Sequence, residues 1–75
     1  MLDFDLAAPA EVVLDVFDAQ GRRVRRVAGG RMASGHHAHA WDGRDAGGRA
    51  VDPGLYFIRL SADGAAATRR VVRIR

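Results

Sequence analysis

The stretch that decides the fold runs from Trp41 to Leu60 and reads WDGRDAGGRAVDPGLYFIRL. It opens with two aspartate-initiated turns, in which carboxylates accept hydrogen bonds from nearby amides and glycines adopt positive φ without steric cost. The Pro53–Gly54 pair suits the central positions of a type II turn. From Gly54 onward apolar and polar positions alternate as in a strand. Structure alone explains this stretch, and we assign structural roles to Trp41, Asp42, Gly43, Asp45, Gly48, Pro53, Gly54 and Tyr56.

Short strands are predicted along the whole chain, and no segment shows a helical period. Val12, Leu14 and Val16 are expected to face inward, and Gly21 is expected to take the left-handed position of a hairpin turn. The uneven spacing of Val24 and Val27 implies a bulge or an early exit from the sheet. The strands are expected at residues 2–6, 11–17, 22–27, 36–41, 49–51, 54–61 and 68–75, with a loop at 29–35 and a hairpin turn at 62–64.

Size and composition indicate one domain covering residues 1–75. A chain this short buries only about 60% of its unfolded surface, so a modest stability is expected. It has no cysteine, no apolar run long enough for a membrane helix and no signal peptide. The two serines and one threonine stand in no nucleophile motif, so no catalytic residue is assigned and an enzyme is not expected.

The positive charge is carried by arginine alone: twelve arginines and no lysine give a net charge of +3. Arginine pairs with phosphate in two-pronged fashion, which makes a nucleic-acid partner one interpretation. The nine acidic residues are interspersed, however, and no arginine run exceeds two. A solvated surface that uses arginine as its cation is the better interpretation, and nucleic acid is disfavoured.

Two groups of residues resemble metal ligands. His37 and His39 share a face of the predicted fourth strand and suit Zn²⁺ or Cu²⁺, although two ligands are too few. Asp42, Asp45 and Asp52 suit Ca²⁺, although Asp–Gly turns need no ion because their carboxylates already have backbone donors. We therefore predict no cofactor and keep His37, His39, Asp42 and Asp45 as weak metal candidates.

Aromatic and aliphatic residues on the outer side of the predicted sheet indicate an interface. The alternative is that these side chains cover the edge of the core or pack under the loop at 31–35. The closing strand is basic, and its unpaired edge could accept another strand. The interaction residues predicted on these grounds are Phe17, Leu55, Phe57, Arg59, Arg69, Arg73 and Arg75.

A short pattern, D-A-x-G-R-x-V, occurs twice, at residues 18–24 and again at 45–51. Two copies are too few for a solenoid, which needs at least three stacked units. The repeat is better interpreted as the same kind of turn formed at two places in the chain. Short strands at this spacing with such turns predict an all-β fold, an antiparallel β-sandwich of about seven strands.

The motifs together resemble a known family. V-x-L-x-V-F-D-x-x-G-R-x-V, G-x-H-x-x-x-W-D-G-R-D-x-x-G-R-x-V-x-x-G-L-Y-F-x-R-L and T-R-R-V-V-R-I-R, which cover residues 12–75, resemble the immunoglobulin-like (Ig-like) domain of the flagellar hook-capping family. They look equally similar to the C-terminal sorting domains of the type IX secretion system. His39 departs from the pattern, because an aliphatic inward residue is expected there.

The resemblance implies an Ig-like sandwich at the C-terminus of a larger secreted or cell-surface bacterial protein. The first function it implies is a non-catalytic sorting or anchoring domain that contacts secretion or surface-assembly machinery. The alternatives are a hook-cap-like assembly module, a subunit that self-associates into oligomers or filaments, or a carbohydrate- or nucleic-acid-binding domain. In this fold Tyr56 is expected to make a corner hydrogen bond.

Overall fold

The computed structural model of the protein describes residues 2–73. Within that range all regular structure is β, as predicted. No helix in it is long and apolar enough to cross a membrane. The strands are β1 (Leu2–Leu6), β2 (Ala10–Asp18), β3 (Arg23–Met32), β4 (Gly35–His39), β5 (Gly54–Ala62) and β6 (Ala65–Arg73).

The strands form two antiparallel sheets. One has four strands in the order β3-β2-β5-β6, and the other pairs β1 with β4. The central strand β2 lies between β3 and β5, so its backbone groups are paired along both edges. Two layers joined by a shared core confirm the predicted Ig-like sandwich, with six strands where about seven were expected.

The core lies between the two layers. Val12, Leu14 and Val16 of β2 are completely buried, which confirms the inward face predicted for this strand. Tyr56 and Ile58 reach the core from β5, and Phe4 reaches it from the smaller sheet. Apolar side chains at every second position on one face of a sheet bury their surface against the opposite layer, which is the main source of stability in this architecture.

Strand β3 differs most from its prediction. The bulge that the valine spacing implied is present twice. Leu14 pairs with Ala28 and the next residue, Asp15, pairs with Arg26, so Val27 is skipped. Val16 pairs with Arg25 and the next residue, Phe17, pairs with Arg23, so Val24 is skipped. Val24 and Val27 are thus the extra residues. The prediction of a loop from Gly29 was wrong, since β3 continues to Met32. Pairing with the long strand β2 outweighs the weak strand preference of the glycines.

The connection between β4 and β5 corrects two further predictions. The expected strand at 49–51 is reduced to one isolated bridge between Arg44 and Ala50. Gly54 has a φ of 156° and begins β5, whereas the third residue of a type II turn has φ near +80°. The type II turn at Pro53–Gly54 was therefore a wrong prediction. Short loop segments held by their own side-chain hydrogen bonds need neither a strand nor a standard turn.

The hairpin turn predicted between β5 and β6 is confirmed. Asp63 and Gly64 both have positive φ, 46° and 87°, as the two central residues of a type I′ turn require. This turn fixes the register of the hairpin, which pairs Ala62 with Ala65 at the turn and Gly54 with Arg73 at the far end. Arg75, the last predicted interaction residue, lies outside the described residues.

Candidate interaction surface

The repeated sequence pattern forms the same turn twice. In the first copy the Asp18 carboxylate accepts hydrogen bonds from the amides of Gln20 and Arg22, at 3.0 and 2.9 Å. The Asp18 amide donates to the Arg22 carbonyl at 2.9 Å, and the Gly21 amide donates to the Asp18 carbonyl at 3.0 Å. Gly21 takes a φ of 84°, as its predicted position requires.

The second copy, in the β4–β5 connection, repeats each of these bonds. The Asp45 carboxylate accepts from the amides of Gly47 and Arg49, at 2.9 and 3.0 Å. The Asp45 amide donates to the Arg49 carbonyl at 2.8 Å, and the Gly48 amide donates to the Asp45 carbonyl at 3.0 Å. Gly48 has a φ of 85°. In each turn the aspartate carboxylate accepts hydrogen bonds from amides that have no backbone acceptor within the turn.

The first copy also contains an ion pair. The Arg22 guanidinium forms an ion pair with Asp18 at 3.0 Å. Hydrogen bonding from the Arg22 amide, reinforced by that guanidinium and the Gln20 amide, lowers the pKa of Asp18 below its ordinary value and prevails over burial, which acts in the opposite direction. Farther along the hairpin the Asp15 carboxylate bonds to Arg26 at 3.0 Å and raises the pKa of that guanidinium.

A backbone hydrogen bond joins the second turn to strand β3. The amide of Ala46, inside the second turn, donates to the carbonyl of Val24 at 3.1 Å. Val24 is a bulged residue, so its carbonyl is displaced from the regular ladder with β2. The bulge therefore supplies the acceptor that attaches the long β4–β5 connection to the edge of the larger sheet.

The remaining structural residues hold this connection against the core. Trp41 is half-buried and packs edge-on against Tyr56, with ring centroids 5.2 Å apart. Its indole donates to the Arg44 carbonyl at 2.9 Å, while the Tyr56 hydroxyl donates to the Asp52 carbonyl at 2.7 Å, four residues upstream. This is the geometry of the corner bond that the fold led us to expect.

Asp42 and Gly43, which follow Trp41, make further hydrogen bonds in the β4–β5 connection. The Asp42 carboxylate accepts from the Arg44 amide at 3.0 Å and from the Arg25 guanidinium at 3.3 Å. Gly43 is buried with a φ of 75°, and its carbonyl accepts from the Val51 amide at 2.9 Å. Pro53 is exposed and directly precedes β5.

The metal candidates are occupied by other contacts. His37 and His39 both stack on Phe4, with ring centroids 5.3 and 6.0 Å away. The His37 Nε2 lies 2.7 Å from the Ala33 carbonyl, a contact that requires a hydrogen on that nitrogen. Asp42 and Asp45 are directed to the backbone amides of their own turns. Across residues 2–73 no three His, Asp or Glu side chains gather as metal ligands would.

The outer face of the larger sheet brings together most of the predicted interaction residues. Phe17 and Phe57 lie opposite each other on β2 and β5, and both are partly exposed. Leu55 is the exposed large apolar side chain of the described residues, at 38%. Arg59 is exposed on the same face of β5. Phe17, Phe57, Arg59 and Thr68 border one shallow depression.

Pairing between β5 and β6 places two further residues on the outer face, and sequence reasoning missed both. Arg70 lies opposite Phe57 and Thr68 lies opposite Arg59, and both are exposed. The predicted Arg69 and Arg73 instead pair in register with Ile58 and Gly54. A signal for this register exists in the sequence, because a two-residue Asp–Gly turn fixes which residues of a hairpin face each other.

These features define a class of protein: an Ig-like β-sandwich whose polar residues stabilise turns and whose larger sheet has an outer face with exposed apolar and arginine side chains. The family model described as the FlgD Ig-like domain matches residues 1–66, and the chain belongs to this family. The match confirms the resemblance to the hook-capping family.

Individual relatives agree. The basal-body rod modification protein FlgD of Salmonella typhimurium is 36% identical over 59 residues, which cover 77% of this chain and 25% of that protein, and FlgD of Salmonella typhi gives the same values. The chain thus spans about a quarter of the length of these curated relatives. The crystal structure of FlgD from P. aeruginosa matches with a TM-score of 0.72 and 28% identity, over 91% of this chain and 55% of that one. The sorting-domain resemblance finds no support in these comparisons.

Proposed function

We propose that this domain is a non-catalytic assembly module that works by protein contact during construction of the flagellar hook. The observation that carries the proposal is the family match over residues 1–66, shared with proteins that are named for their action on the flagellar basal body. The assembly module therefore stands ahead of the sorting or anchoring domain. We further propose that residues 1–75 form one domain of a longer protein located on the outside of the cell.

The distribution of side chains supports a contact role. The carboxylates of Asp18, Asp42 and Asp45 accept hydrogen bonds from amides of their own turns, that of Asp63 accepts one from the Glu11 amide, and all four serve the fold. Apolar side chains remain on the outer face of the larger sheet, where they stabilise no second layer of the described residues. Leu55, Phe57 and Phe17 with neighbouring arginines have the mixed aromatic and arginine composition that interfaces favour.

A domain exchange tests the proposal. The segment of Salmonella FlgD that matches this domain is replaced by residues 1–75, and hooks are counted by electron microscopy in a strain that lacks its own FlgD. We expect the chimera to restore hooks. Substitution of Leu55→Asp should reduce the hook count, because it places a charge in the apolar part of the outer face. Ala8→Asp, at an exposed site in the β1–β2 connection, is the matched control and should leave the count unchanged.

Two results would contradict the proposal. One is a chimera that is produced and folded, as judged by protease resistance, yet forms no hooks. The other is a Leu55→Asp chimera that assembles hooks as well as the unsubstituted chimera does, which would remove the outer face from the contact.

A further inference from the structure

Strand β6 presents a long, regular and unpaired edge in the described part of the sheet. Its nine residues pair with β5 in unbroken register from Ala65 to Arg73, without a bulge. The two-residue turn makes Ala62 and Ala65 a hydrogen-bonded pair, and pairing alternates from there. The N–H and C=O groups of Thr68 and Arg70 are therefore directed away from β5, toward the free edge.

The other edges of the two sheets are less suitable for strand addition. Strand β3 has two bulges, which twist and interrupt an edge. The carbonyl of its bulged residue Val24 already accepts the Ala46 amide of the β4–β5 connection. Strands β1 and β4 are only five residues long. A partner strand therefore gains most backbone hydrogen bonds at β6.

Charge identifies the kind of partner. The segment from Gly54 to Arg73 contains four arginines and a single acidic residue, Asp63, so the β5–β6 hairpin carries a charge equal to the +3 of the whole chain. The Asp63 carboxylate already accepts the Glu11 amide at 3.1 Å. Arg59 and Arg70 are exposed on the outer face beside Phe57 and Leu55. This edge thus combines free backbone groups, cations and apolar side chains.

We propose that the free edge of β6 binds an extended, acidic segment of a partner protein, which adds a fifth strand to the larger sheet. Alternate side chains of such a strand lie on the outer face, where acidic groups meet Arg70, and the intervening apolar side chains lie on the inner face beside Val71, which packs against the core. The proposal deepens the assembly function and rests on it, because it names the surface and the partner class. A second copy is disfavoured as the occupant, because two β6 edges would bring together segments of the same positive charge.

Peptide binding tests the edge directly. The probe is a fluorescent nine-residue peptide in which aspartate or glutamate alternates with valine or isoleucine, titrated with the 75-residue chain and followed by anisotropy. Thr68→Pro removes one outward N–H and leaves the pairing with β5 intact, and should weaken binding about tenfold. Arg70→Glu should weaken it about fivefold, and less at high salt. Arg49→Glu, an exposed arginine in the second turn, is the matched control and should change binding less than about twofold.

Two altered peptides test the same edge on the unsubstituted chain, so their results do not depend on whether a variant folds. A peptide methylated on its alternate edge-facing amides has the same side chains but cannot donate to β6, and should not bind. A peptide with lysine in place of every acidic residue should bind at least about tenfold more weakly. Amide shifts in NMR spectra of the unsubstituted chain should centre on residues 66–70.

Several outcomes would overturn the proposal: no saturable binding up to about 1 mM peptide, equal binding of the lysine peptide, or a folded Thr68→Pro chain that binds normally. Light scattering of the chain alone that reveals concentration-dependent association, abolished by Thr68→Pro, would assign the edge to a second copy instead. Failure of the assembly function is separate, since it appears as a hook-less chimera. A Thr68→Pro chimera that assembles normal hooks refutes the edge alone.

Discussion

Asp18 and Asp45, which lie 27 positions apart in the chain, make the same four backbone hydrogen bonds in two unrelated parts of the sandwich. The first stands in the β2–β3 hairpin and the second in the β4–β5 connection. The shared pattern D-A-x-G-R is therefore a local structural unit that folds in the same way wherever the chain reverses. Its aspartate accepts hydrogen bonds from amides in a tight turn, and this role accounts for aspartates that resemble metal ligands in the sequence.

The pH dependence of folding should reveal the first of these turns. Because the pKa of Asp18 is lowered in the folded chain, its contribution to stability is complete above the unfolded value of 3.8 and is lost as the pH falls through the lower folded pKa. Asp18→Asn removes this titration while keeping a side-chain acceptor. Melting temperatures between pH 5 and pH 2 should therefore fall more steeply in the unsubstituted chain than in Asp18→Asn. Parallel curves would contradict the assignment.

Backbone handedness at the turn glycines gives a second prediction. Gly21 and Gly48 have φ values of 84° and 85°, and a Cβ placed at either glycine meets no atom of the described residues within 4 Å. Substitution by L-alanine should then cost only conformational strain, about 1 kcal/mol in the free energy of unfolding. D-alanine, introduced by chemical synthesis, favours positive φ and should stabilise the chain. Urea unfolding of the two epimers is the measurement, and equal stabilities would rule out strain as the cause.

Leu14 provides a test of where the core lies. It is completely buried, so Leu14→Ala should lower the free energy of unfolding by about 3 kcal/mol through lost burial and a residual cavity. That is a large part of the stability expected for a chain of this size. Leu55→Ala makes the same chemical change at a residue that is 38% exposed and should cost less than about 0.5 kcal/mol. Similar losses for the two variants, measured by urea unfolding, would show that the core is wrongly placed.

The hydroxyl of Tyr56 should stabilise the end of the β4–β5 connection. Tyr56→Phe keeps the ring against Trp41 but removes the 2.7 Å bond to the Asp52 carbonyl, and should cost about 1 kcal/mol. Unfolding followed by Trp41 fluorescence reports on the same contact. The native emission maximum should stay unchanged, because the edge-on ring packing remains. A variant as stable as the original would mean that water replaces the bond without loss.

The parts of the structure that sequence predicted are those in which local chemistry decides. Inward Val12, Leu14 and Val16 follow from alternation alone, and the turns at Gly21 and Asp63 follow from the backbone conformations these residues tolerate. The extension of β3 through Gly29 and Gly30 could not be predicted in this way, because glycine-rich segments favour loops and only pairing with β2 makes them a strand. Arg70 was missed for a related reason: its position depends on hairpin register, which a strand pattern considered alone does not reveal.

The central place of β2 has a kinetic consequence. Its partner β5 begins at Gly54, and two hydrogen bonds, from the Asp63 amide to the Glu11 carbonyl and from the Glu11 amide to the Asp63 carboxylate, join residues 52 positions apart. A ribosome delivers the N-terminus first, at roughly 5–20 residues per second, so β2 emerges several seconds before its partner strand β5 exists. Native structure can then form only after nearly the whole domain has been synthesised. Until that moment one edge of β2 lacks its partner, which gives chaperones or a transport channel a defined interval in which to capture the chain.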